Sequence, residues 1–243
     1  MPFCTKCGAE LVEGEDHVCD AQKAVTETAA AQEIYQNGSS LNFETILTLI
    51  KNPFKGLTLS ENSDFLYGIL GLVISVIGIF IWFLGIFHNL TAGISGLPFL
   101  GQAISPSYTT VFLFGLLLVL LPCASFYAYS KWMGDRNQSF KQTVTSIGAT
   151  QWLAGAGFIL AAILSYISIS ISVGLFFTMY QINVLIIAFA SLDLFVVTEQ
   201  KRVPVIILSI LTITIIWGII GNYLISSLFQ SIGSSLNSIM GGL

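Results

Sequence analysis

Hydrophobic and polar positions divide the chain unequally. Residues 1–40 are polar, whereas 41–228 are dominated by apolar runs. At the junction Phe43, Ile46, Leu47 and Ile50 repeat at i, i+3, i+4 and i+7, and Phe54 and Leu57 extend the stripe. Asn42, Glu44, Thr48, Lys51 and Lys55 lie off it. That period predicts an amphipathic helical segment over 41–57. A break is expected at Asn52-Pro53, because proline disfavours the helical conformation in the residue before it. Beside a membrane such a helix either lies along the lipid surface or packs beneath a bundle, and the pattern does not choose.

Five apolar runs follow, near 65–87, 108–130, 151–171, 174–197 and 203–228. At 1.5 Å per residue each is long enough to cross a hydrocarbon core of ~30 Å. The third and fourth are nearly continuous, and Ser168, Ser170, Ser172 and Gly174 are the predicted hairpin between them. The expected fold is therefore an all-α integral membrane protein with five transmembrane helices. The C-terminal stretch SLFQSIGSSLNSIMGGL, which includes the tail over 229–243, places Leu228, Ile232, Leu236 and Ile239 on one face, and either lies on the membrane or continues the last helix. Pro122 is a candidate kink in the second run, and Cys123 beside it reads as a small buried apolar residue.

Composition strengthens this picture. The chain of 243 residues is 54% apolar and only 9% charged, against about a quarter charged in soluble domains. Mean hydropathy is +0.83. No basic surface of the size that nucleic acid requires is present. The polar start does not read as a signal peptide, so Met1 is expected to begin the mature chain.

The distribution of charge adds an orientation. Lys6, Lys23, Lys51 and Lys55 precede the first run; Lys131, Arg136 and Lys141 lie between the second and third; Lys201 and Arg202 lie between the fourth and fifth. The segments 88–107, 171–174 and 229–243 contain no Lys or Arg. Cytoplasmic loops carry the excess of basic residues. The expectation is a multi-pass cell-membrane protein with a cytoplasmic N-terminus and an external C-terminus.

Small residues recur at helical spacing. Gly68, Gly71, Ser75, Gly78 and Gly85 share a face of the first run; Ala154, Gly157, Ala161, Ser165, Ser168 and Ser172 form a second stripe. Small residues let helices approach closely where lipid offers no hydrophobic drive between them, so both stripes are read as packing faces. Asp64 is the expected cap of the first run, with Tyr67 at headgroup depth.

Chemistry is concentrated at the start of the chain. Cys4 and Cys7 form a Cys-x-x-Cys knuckle followed by Gly8, and His17 and Cys19 supply a second pair. Three thiolates and one imidazole make a closed tetrahedral site for structural Zn2+. Residues 1–20 contain few large apolar side chains, so metal ligation would supply their folding free energy. A thioredoxin-like redox pair would need a larger βαβ domain around it. The fourth ligand stays open among His17, Asp16, Asp20 and a group from a partner subunit. Residues 21–40 read as a flexible linker rich in Ala, Gln and Thr.

Within the apolar runs Gln151, Gln181, Asn183, Asp193 and Asn222 are polar. Asp193, Gln181 and Asn183 define a possible intramembrane polar site, because such residues in a bilayer are costly and often functional. The bland alternative pairs Asp193 with Lys201 or Arg202. His88 ends the first run on the predicted external side. No protease, hydrolase, nucleotide-binding or kinase pattern occurs.

Two resemblances accompany these residues. The stretch MPFCTKCGAELVEG resembles the short zinc ribbons that open many bacterial membrane and regulatory proteins, although HVCD replaces their usual second Cys-x-x-Cys. The lead-in KNPFKGL at 51–57, then SDFLYGILG at 63–71, followed by five runs, resembles the Yip family of five-span membrane proteins, related to Rab/Ypt-interacting proteins. One residue is inserted relative to that family's Asp-Leu-Tyr-Gly element. The resemblance covers roughly 41–228 and implies a role in membrane organisation, scaffolding or regulation of partners, with no catalytic activity. With the closed metal site, the expectation is a non-enzymatic scaffold or regulator whose ribbon binds a cytoplasmic protein or a second copy of the chain. The rival expectations are a transporter or channel component linked through Asp193 and a metal-responsive membrane sensor.

Overall fold

The computed structural model describes residues 41–93 and 107–240. All regular structure among them is helical. Helix α1 (Phe43–Lys51) is followed by a 3-10 helix (Pro53–Thr58) and by α2 (Phe65–Gly93), α3 (Tyr108–Met133), α4 (Phe140–Ser165), α5 (Ile169–Leu194) and α6 (Glu199–Met240). Helices α2 to α6 are long and apolar enough to cross a membrane, the architecture of a multi-pass membrane protein. The zinc-ribbon and linker expectations, including Cys4, Cys7, His17 and Cys19, lie outside the described residues.

Local rules explain the boundaries. Asn42 caps α1, its side chain accepting the Glu44 N–H at 2.9 Å. The helix ends at Lys51 with Asn52 as its cap, the expected break, and Pro53 starts a 3-10 helix that was not expected. Ser107, Ser139 and Ser168 cap α3, α4 and α5 in the same manner. Helix α5 ends in a Schellman motif: Val197 N–H donates to the Leu192 carbonyl (2.9 Å) and Val196 N–H to the Asp193 carbonyl (3.2 Å).

Several boundaries differ from expectation. Helix α4 begins at Phe140, well before 151, because its first three turns carry polar residues that face inward: Thr143, Thr145, Ser146 and Thr150 are all buried. Hydropathy alone reads such a stretch as a loop. The α4–α5 turn is confined to 166–168. Of the expected hairpin residues only Ser168 lies there; Ser170, Ser172 and Gly174 are already in α5. Helix α3 runs through Pro122, and α6 continues to Met240.

Helices α2 and α4 run in the same direction and make the most extensive contact in the bundle. The expected α2 stripe meets α4 along its length: Gly68 against Val144 and Thr145, Gly71 against Gly148, Gly78 against Gly155 and Phe158, and Gly85 against Ser165. The Ser75 hydroxyl donates to the Gln151 carbonyl at 2.9 Å. The spacing of three and four places these residues on a coiled-coil-like seam. On α4 the seam uses Gly148, Gly155 and Ser165, not the expected stripe as a whole. Gly157 instead faces Met179 on α5, and the Ala161 carbonyl accepts the Ser172 hydroxyl at 2.7 Å. Helix α4 is packed on both sides, so small residues occur on more than one face.

Helix α1 and the 3-10 helix form a collar around the start of α2 and α4. Leu49, Leu59, Tyr67 and Ala149 make one buried cluster, with Ile46 and Trp152 against it. Gly56 approaches Ser146 and Ala149. Thus α1 packs against the bundle through one face, while Phe43 and Leu47 remain exposed on another. The end of the bundle carrying this collar is called the near end below. The 134–139 and 195–198 connections also lie there, joined by the Arg136 N–H donating to the Phe195 carbonyl at 3.1 Å.

Two residues at this end depart from their expected roles. The Asp64 carboxylate does not cap α2; it is buried and accepts the Ser60 N–H at 3.0 Å, holding the preceding turn. The Tyr67 ring is inside the collar, and its hydroxyl accepts the Asn42 N–H at 2.6 Å. Both substitutions of role follow from the collar, which supplies partners that a bare helix end lacks.

Candidate functional site

Gln181, Asn183 and Asp193 all belong to α5, which does not bring them together. Gln181 is exposed on the outer face of the helix, whereas Asn183, two residues on, is buried. Successive residues rotate by about 100°, so the pair points to opposite sides. Asp193 sits in the last turn at the near end. Its carboxylate pairs with the Arg202 guanidinium at 3.5 Å, both side chains being about half exposed (51% and 43%). Lys201 pairs instead with Asp135 at 3.6 Å. Of the readings weighed for Asp193, its geometry matches the pairing one.

Asn183 is the chemically demanding member. It is 1% exposed, and neither its Nδ2 nor its Oδ1 has a hydrogen-bond partner. Gln151 on α4 is fully buried; its Nε2 donates to Thr150 Oγ1 at 3.4 Å, and its Oε1 has no partner. Helices α4 and α5 are antiparallel, in a register set by Gly157 against Met179 and Ala161 against Ser172. That register places Gln151 level with Asn183, one turn beyond Ile147 and Ile187 of a shared buried cluster. A buried unpaired donor or acceptor costs about 1–3 kcal/mol.

Further buried polar atoms without partners lie in the same interior: Ser130 Oγ on α3, the Tyr180 hydroxyl and Ser191 Oγ on α5, and Ser209 Oγ and the Trp217 indole N–H on α6. Reading the sequence one run at a time missed these five. Serine, tyrosine and tryptophan are common within spans, and only the helix register reveals their alignment.

The opposite half of the interior is satisfied and aromatic. Trp82 stacks on Phe176 with ring centroids 3.8 Å apart. Its indole N–H donates to Ser172 Oγ at 2.8 Å, and that hydroxyl donates onward to Ala161. Phe83, Phe114 and Phe158 close around them. Cys123 is a half-buried free thiol against the near-end cluster. His88 lies at the far end of α2, and Asn222 is exposed on α6.

Among the described residues no group of three or more His, Cys, Asp or Glu side chains converges on a common point. The zinc expectation therefore rests on Cys4, Cys7, His17 and Cys19 by sequence. No family model, no curated protein and no solved structure matches this chain.

Proposed function

We propose that the chain is a non-enzymatic membrane scaffold or regulator of the Yip type, whose N-terminal zinc ribbon engages a cytoplasmic protein or a second copy of the chain. The observation that carries this reading is the collar. Leu49, Tyr67, Ala149 and Trp152 lock α1 onto the bundle, so the collar is a fixed platform at the near end. Structural Zn2+ held by Cys4, Cys7 and Cys19, with His17 as fourth ligand, would supply a small closed surface suited to binding rather than turnover.

Orientation follows the basic residues. Among the described residues, Lys51, Lys55, Lys131, Arg136, Lys141, Lys201 and Arg202 all belong to the near end. The positive-inside rule assigns that end to the cytoplasm. Lipid is the partner of the exposed faces of α2 to α6, and nucleic acid has no part in this reading.

Crosslinking with mass spectrometry on the intact protein in its own membrane tests the proposal. Crosslinks from residues 1–20 to one protein, lost in Cys4→Ser/Cys7→Ser, are the expected result. A crosslink pattern identical in that variant would sink the adaptor role. A second reading, a transporter or channel component, is favoured by the unpartnered amide of Asn183 rather than by Asp193. It predicts solute flux in proteoliposomes that Asn183→Leu removes and Asp193→Asn leaves intact.

A further inference from the structure

The unpartnered polar groups fall on a line. On α5, Ser191, Ile187, Asn183, Tyr180 and Phe176 are spaced by four, four, three and four residues, a single helical face. Each level gains a polar group from a neighbour. Gly134 and Arg136 meet Phe195 and so set the α3–α5 register, with Phe126 and Ile187 in one cluster; this puts Ser130 level with Ser191. The Asp193–Arg202 pair sets the α5–α6 register, which puts Ser209 level with Ile187. Gln151 is level with Asn183. Trp217 is level with Tyr180, and their polar tips face each other without a hydrogen bond of normal geometry. Phe176, stacked on Trp82, ends the line.

We propose that the near half of the bundle interior, between α3, α4, α5 and α6, binds a file of water molecules running from Ser130 and Ser191 through Ser209, Gln151 and Asn183 to Tyr180 and Trp217. The aromatic cluster of Trp82, Phe83, Phe114, Phe158 and Phe176 closes the file on its far side.

Spacing and chemistry both select water. Three or four residues along a helix advance about 4.5–6 Å. One water accepting from one level and donating to the next spans roughly 4.5 Å, two hydrogen bonds of about 2.8 Å meeting near the tetrahedral angle. The unpartnered set mixes donors and acceptors: the Trp217 N–H and Asn183 Nδ2 only donate, the Gln151 and Asn183 amide oxygens only accept, and the serine and tyrosine hydroxyls do both. A bare cation would leave the N–H groups unmet, and an anion would face the amide oxygens. Water satisfies both kinds, and buried waters typically make two to four such bonds. The two buried indole N–H groups supply an internal contrast. Trp82 donates to Ser172 Oγ at 2.8 Å, whereas Trp217 has beside it only the Tyr180 hydroxyl, without a hydrogen bond of normal geometry.

Hydroxyl-radical footprinting of the full-length protein in lipid nanodiscs, with radicals produced by X-ray radiolysis of water, tests this. Radicals form where water is bound, so Tyr180 and Trp217 are expected to oxidise while Trp82 is not. Tyr180 and Trp217 as unreactive as Trp82 would overturn the proposal. In Gln151→Leu/Asn183→Leu the file is interrupted, and oxidation of Tyr180 and Trp217 is expected to fall to the level of Trp82. Unchanged oxidation in that variant shows water arriving by another route and overturns the file. Oxidation of Trp82 marks a variant that has opened; the wild-type contrast between Trp217 and Trp82 then decides alone.

Discussion

Val196 has φ 52°, the left-handed conformation of a Schellman C′ position, where glycine is usual. A β-branched residue pays a steric cost of about 1–2 kcal/mol in that region. The side chain is 45% exposed, so little packing offsets the strain. Val196→Gly is therefore expected to stabilise the protein by about 0.5–1 kcal/mol, the relieved strain less about 0.5–1 kcal/mol for the freer unfolded chain. Thermal unfolding in detergent should show a raised midpoint; a lowered one would mean that the valine is held by packing not visible at this turn. Gly71 is the converse. A Cβ there meets the Gly148 carbonyl, which is backbone and cannot rotate away. Gly71→Ala should cost about 1–3 kcal/mol by overpacking the α2–α4 seam. Gly174 and Gly218 have open space around the same position and serve as controls, since alanine there is neutral or mildly stabilising.

At the level of elements, α1 behaves as part of the bundle. Leu49 is 1% exposed against Tyr67 and Ala149, and Trp152 binds the Tyr67 carbonyl at 3.0 Å. Leu49→Ala should loosen the collar by about 2–5 kcal/mol. Amide hydrogen exchange over 43–58 would accelerate while the middle of α2 stays protected. Uniform acceleration would show that collar and bundle open together. The same elements show how far the sequence could be read. Helix identities and the α2 stripe were legible because length, apolarity and glycine spacing are local signals. The start of α4 was not, because Thr143, Thr145 and Ser146 look like loop residues until α1, α2 and α5 surround them. The hairpin serines misled for a related reason: Ser172 is a tie between Trp82 and Ala161, a role set by tertiary contact. Of the three residues of the expected polar site, Asn183 alone entered the buried line, joined by Gln151 from the wider set of polar residues within the runs. Its alignment with Gln151, Tyr180 and Trp217 depends on registers that no single run contains.

For the whole molecule, sidedness is the property most exposed to test. The near end gathers the collar, the 134–139 and 195–198 connections, and the basic residues of the described chain. Its ion pairs, Asp193–Arg202 and Lys201–Asp135, are about half exposed, so each contributes at most about 1 kcal/mol to stability. Their larger consequence is topological. Basic residues retained on the cytoplasmic side act during insertion, before any pair has formed. Cysteines placed at Asn137 and Ile167 distinguish the two faces, because 137 lies in a near-end connection and 167 in the α4–α5 turn at the far end. In intact cells a membrane-impermeant thiol reagent should modify Ile167→Cys and not Asn137→Cys. In inside-out vesicles the pattern at these two positions, read peptide by peptide so that Cys4, Cys7 and Cys19 do not contribute, should reverse. Labelling of Asn137→Cys in intact cells would place the collar outside. The cytoplasmic-adaptor proposal would then fail. The file of water between α3 and α6 would survive that result, since its argument rests on register and hydrogen bonding inside the bundle and holds for either orientation.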